Sequence, residues 1–73
     1  MQSVGRQTAL RLVREARGLG LRDAARQVGV DATYLSRVER RMKVPSLRVA
    51  ARIATVYQLD LAEALTLILG GAG

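Results

Sequence analysis

An all-α fold, a compact bundle of five short helices around one core, is what this chain of 73 residues predicts. Three observations lead there. Apolar residues recur at helical spacing, and nothing alternates with a strand period over a useful length. Glycines and short polar residues that can cap helix ends punctuate the apolar stretches. Apolar residues are 49% of the chain, enough for one core, and the length suits a single domain.

The first helix is predicted from about Gly5 to Arg17, with a stripe of Leu10, Val13 and Arg17 flanked by Ala9 and Ala16. Arg6, Arg11 and Glu15 face away, and Gly18 ends the helix. The second helix, Leu21 to Val28, turns Ala24, Ala25 and Val28 inward and breaks at Gly29. Asp31 is the N-cap of the third helix, and Val30 with Leu35 is placed to form a hydrophobic staple. Leu35 and Val38 point to the core, so Thr33, Ser36, Arg37 and Arg40 point outward. After a basic loop from Arg41 to Pro45, Ser46 caps a fourth helix, Leu47 to Tyr57, burying Leu47, Ala50, Ile53, Ala54 and Tyr57. Asp60 and Glu63 form a capping box for the fifth helix, Leu61 to Leu69. The domain is predicted over residues 1–69, and residues 70–73 are a Gly-rich flexible tail.

The chain has no Cys and no His, which excludes disulfides and the usual zinc ligands. No cofactor or metal is expected; helix packing and self-association remain as sources of stability for so small a chain. Residues 1–58 carry all twelve basic groups and four acids, whereas residues 59–73 carry only Asp60 and Glu63. A cationic body of this kind attracts a polyanion, of which nucleic acid is the commonest in a cell. The N-terminus lacks the apolar run of a signal peptide, and Leu59 to Leu69 is too short for a bilayer, which takes ~20 helical residues. A cytoplasmic protein with no membrane partner is expected.

The segment from Leu21 to Arg40 has the spacing of a helix-turn-helix, two helices set at roughly 90–120° by a short turn. Where the helices approach most closely a small side chain is needed, and Ala25 supplies it. The first turn residue needs a left-handed conformation, and Gly29 adopts it without steric cost. Ala24, Val28, Val30, Leu35 and Val38 are small or apolar where the two helices must lock together.

From about Leu10 to Leu65 the chain resembles the Cro and phage-repressor-like (XRE) helix-turn-helix family, whose fold is that of the lambda-repressor-like DNA-binding domain. The resemblance rests on the segment from Val30 to Arg40, which is similar to the family's recognition helix, and on Pro45-Ser46-Leu47 leading into the fourth helix. It implies a structural ion pair between Arg14 and Glu39. Four positions depart from the pattern. Gly20 and Leu21 stand where the family often has a hydroxyl residue and a phosphate-binding glutamine, and Arg41 and Gln58 stand where glycine often ends a helix.

The N-terminal part of a recognition helix enters the major groove, so Ala32, Thr33, Ser36 and Arg37 are the candidate base contacts. Arg37 can reach both acceptors of a guanine, and Thr33 can offer its methyl or its hydroxyl. Arg40, Arg41, Lys43 and Ser46 are candidates for the DNA backbone. Tyr34 is a candidate there too, with packing beside the second helix as its alternative. In the fifth helix Leu61, Leu65 and Ile68 suffice to close the core, leaving Ala62, Leu67 and Leu69 for a homodimer interface. The expected protein is therefore a sequence-specific regulator binding double-stranded DNA as a homodimer, with no small-molecule effector. A protein-interaction adaptor is the rival reading, favoured by the apolar fifth helix and disfavoured by the polar, cationic face of the third. Two tyrosines are too few for the stacking platforms of single-strand RNA binders. The scattered acids offer no catalytic constellation, so an enzyme is not expected.

Overall fold

The computed structural model describes residues 9–70, which form five helices: α1 (Ala9–Ala16), α2 (Leu21–Val28), α3 (Ala32–Glu39), α4 (Leu47–Tyr57) and α5 (Leu61–Leu69). The predicted start of the first helix at Gly5, with Arg6, and the tail residues Gly71, Ala72 and Gly73 lie outside the described residues.

The helix ends follow the sequence chemistry. Asp31 accepts the Tyr34 N–H at 2.7 Å, and Ser46 Oγ accepts the Val49 N–H at 3.2 Å, so each satisfies a first-turn donor. At α5 both halves of the capping box are present: Asp60 accepts the Glu63 N–H at 2.8 Å, and Glu63 accepts the Asp60 N–H at 3.2 Å. Gly20 caps α2 without a side-chain bond. Gly29 has φ 94°, and its N–H and that of Val30 both donate to the Ala25 carbonyl. Any other residue would be strained at this turn.

Helix α4 packs against both α2 and α5, α2 against α3, and α1 against α5. Tyr57, Leu10, Leu35 and Ile53 are the large buried side chains. Val28, Val38 and Ile68 complete the apolar core with alanines at 24, 25, 50, 54 and 64, whose small side chains allow backbones to approach closely.

Four expectations need correction. In α1 the buried line is Leu10 and Arg14, one helical turn apart, while Ala16 and Arg17 are exposed. Arg17 instead reaches across the fold and donates from Nε to the Tyr57 carbonyl at 3.0 Å. Leu47 is 64% exposed, because the buried arc of α4 runs through Ala50, Ile53, Ala54 and Tyr57 and no element covers the first position. In α5 the core line is Ala64 and Ile68; Leu61 is exposed and Leu65 half-buried. Gly70 closes α5 as its left-handed cap, with its N–H on the Thr66 carbonyl, and so belongs to the fold.

Among the described residues, no helix is long and apolar enough to cross a membrane.

Candidate nucleic-acid interface

Helix α3 is held from behind by a buried polar cluster. Arg14 of α1 donates to Glu39 of α3 through two nitrogens, Nε at 2.7 Å and Nη2 at 3.1 Å. Its third nitrogen donates to the Leu19 carbonyl at 2.8 Å, fixing the turn between α1 and α2. Arg14 and Glu39 are 6% and 3% exposed, so the bidentate pair is shielded from water and salt. Its hydrogen bond to Glu39, outweighing burial, holds the Arg14 guanidinium above its ordinary pKa. Tyr57 of α4 adds its hydroxyl to the same carboxylate at 2.6 Å. Burial first, and then that hydrogen bond, push the Tyr57 hydroxyl well above its ordinary pKa.

With Leu35, Val38 and Glu39 facing inward, α3 turns Thr33, Arg37 and Arg40 to solvent, with Ser36 half-buried beside them. Between the N-terminal half of α2 and this face lies an open groove of about 690 Å³. Ala32, Thr33, Ser36 and Arg40 form its α3 side, and Gly20, Leu21, Arg22 and Asp23 its α2 side. Arg37 is exposed one turn beyond Thr33, on the same helix face and outside the groove lining. The Arg40 Nε leans back on the Ser36 carbonyl at 3.4 Å.

The remaining candidates divide. Tyr34 is half-buried and packs against the core, outside the groove lining. Ser46 is exposed, with its hydroxyl already engaged as the α4 cap. Lys43 is exposed in the loop. Arg41 has φ 63° and carries its side chain to the far end of α5, where a methyl added at Gly70 would lie 2.8 Å from its Nε. That position places a cation at the negative end of the α5 dipole. Of the α5 candidates, Ala62 and Leu67 line an apolar groove with Val13 and Leu59, and Leu69 is 58% exposed.

Two features were missed in the sequence. Tyr57 reads as a core residue by its spacing from Ile53, yet a buried hydroxyl requires a partner, and that requirement was the available signal. The contact of Arg41 with the α5 terminus has no local signal, because it joins residues 29 positions apart.

Residues 8–67 match a family model described as a helix-turn-helix domain, and the chain belongs to that family. Among solved structures it is similar to the crystal structure of the clp gene regulator ClgR from Corynebacterium glutamicum. The identity is 31%, the match covers 93% of this chain and 70% of that one, and the TM-score is 0.74. No curated protein matches the chain.

Proposed function

We propose that the protein is a transcriptional regulator that binds double-stranded DNA through α3, in the manner of the XRE family. The observation that carries this reading is the exposed, polar and cationic face of Thr33, Ser36, Arg37 and Arg40, held from behind by the Arg14–Glu39 pair. An α3 in the major groove brings Ala32, Thr33, Ser36 and Arg37 to base edges. Arg40, Lys43 and the N-terminus of α4 at Ser46 then meet phosphates. Arg41 does so by leaving Gly70, and Tyr34 through its hydroxyl. The family match and the likeness to a gene regulator support the same assignment.

The protein acts as a homodimer on an inverted repeat, with residues 21–40 as the DNA-reading unit and α5 as the pairing helix. Two recognition helices then stand roughly 34 Å apart, one turn of DNA. Repression follows from occupancy of the operator, and control from the protein's own concentration through dimerisation. This chemistry calls for no cofactor and takes place in the cytoplasm.

Replacing Arg37 by Ala tests the reading by fluorescence anisotropy on labelled duplexes. A loss of about 1–3 kcal/mol on the preferred site, with relaxed specificity there, is the expected outcome. Equal losses on preferred and random duplexes would remove Arg37 from the base readers.

A further inference from the structure

A second cationic surface lies on α4, away from the recognition groove. The core side of α4 is Ala50, Ile53, Ala54 and Tyr57; diametrically across the helix, Arg48, Arg52 and Thr55 are all exposed. Arg48 and Arg52 stand one turn apart. Among the described residues, neither guanidinium has a hydrogen-bonding or ionic partner. The groove between this face and the end of α2, about 480 Å³, has an apolar lining of Val28, Ala51 and Val56 and a polar lining that includes Gln27, Arg48 and Arg52. Arg52 reaches the helix-turn-helix turn itself, where a methyl added at Gly29 would lie 3.1 Å from its Nη1. This groove shares no lining residue with the one beside α3.

Two local rules are broken here, and only Arg52 gains an offset within the fold, its guanidinium lying at the negative C-terminal end of α2 beside Gly29. Like charges four residues apart on a helix repel. Arg48 also sits in the first turn of α4, at the positive end of the helix dipole, with no acidic residue in that turn to offset it. Arg48, which no acidic residue in that turn offsets, is thus a cation left open to an external anion.

We propose that Arg48, Arg52 and the groove beside them bind an acidic, apolar helical segment of a partner protein. Carboxylates one turn apart on the partner match guanidiniums one turn apart on α4, each as a charge-assisted pair. An apolar side chain between them packs on Ala51 and Val56, over the buried Val28. A DNA backbone supplies anions but only sugar carbons, and no apolar side chain, for that lining, so a protein is the better fit. The inference does not depend on DNA binding.

The test is selection of a displayed library of random helical peptides on the intact chain, with counter-selection on the Arg48→Glu/Arg52→Glu double variant. The result expected is enrichment of peptides with paired acids beside apolar residues. The best of them should bind the variant roughly 10-fold more weakly, as loss of two ion pairs implies. Its Lys-substituted form should regain binding to the variant, and its contact should shift the amides of Gln27, Ala51 and Thr55 in NMR spectra. Both arginines are exposed, so the fold should survive; if the Glu variant does not fold, Arg48→Gln/Arg52→Gln carries the same comparison. No enrichment, or equal affinity for both proteins, overturns the proposal. So does a duplex-binding salt slope that falls by about two in the Gln variant, which would make these residues phosphate contacts.

Discussion

Tyr57 Oη and Arg14 Nε both donate to a single oxygen of Glu39, at 2.6 and 2.7 Å. One carboxylate oxygen thus joins α4 and α1 to the end of α3. Without the Glu39 carboxylate, Arg14 would be a buried cation with only the Leu19 carbonyl as partner. The cluster fixes where α3 lies, and therefore where Thr33, Arg37 and Arg40 point.

Removing the two ends of this cluster should have unequal effects. Tyr57→Phe deletes one hydrogen bond to a charged group and should lower stability by about 1.5–3 kcal/mol. Glu39→Ala strands a buried guanidinium and should lower it by about 3–5 kcal/mol, close to the whole stability of a domain this small. Urea unfolding followed by circular dichroism measures both; the reverse ranking would mean that Tyr57, not the ion pair, is the mainstay.

High pH should unfold the protein through Tyr57. Its hydroxyl has a raised pKa in the fold, so the folded state holds a proton that the unfolded chain releases near the ordinary value of about 10. The stability contribution is therefore complete below that value and is lost as pH rises above it. In a Tyr34→Phe background Tyr57 is the only tyrosine left. Tyrosinate absorbance should then appear together with loss of helical circular dichroism. Ionisation near pH ~10 with the helices intact would contradict the buried hydrogen bond.

Gln58 ends α4 in the left-handed region, at φ 60°. A β-carbon costs roughly 1–2 kcal/mol there, partly offset by the greater unfolded-state entropy of glycine. Gln58→Gly should therefore stabilise the protein by up to about 1 kcal/mol in thermal unfolding. The bonds that the Arg17 guanidinium donates to the Tyr57 and Gln58 carbonyls use no atom of the Gln58 side chain and should persist. A lowered melting temperature would show that the Gln58 side chain contributes something the geometry does not display.

The pairing of two copies is best tested at Leu69. Leu67 is half-buried beside Val13, so a charge there would disturb the fold as well as an interface. Leu69 is 58% exposed, and Leu69→Glu should leave the monomer folded. Sedimentation should show a dimer for the parent chain and a monomer for this variant. A variant that remains dimeric would place the interface elsewhere.

The helices were legible wherever a short-range rule decides. The caps at Asp31, Ser46 and Asp60 and the turn at Gly29 act within four residues, and all four positions were read from neighbours alone. Burial at the first position of a helix was not. Leu47 and Leu61 fit the apolar period, but only the tertiary arrangement decides whether another element covers them. The outward face of α3 could be read because Leu35 and Val38 fix its inward side, and the rest follows from helical geometry. What lay beyond reach were contacts made by long, flexible side chains. Arg17 on the end of α4 and Arg41 beside Gly70 depend on distances between helices, which no local pattern encodes.

Selection of the purified protein against a random duplex library at physiological salt tests the central claim most directly. The account predicts enrichment of an inverted repeat whose half-sites lie about one helical turn apart, and loss of that enrichment when Arg37 is replaced by Ala. Binding that enriches no sequence and vanishes as salt rises would reduce α3 to a phosphate-attracting surface and contradict sequence-specific recognition.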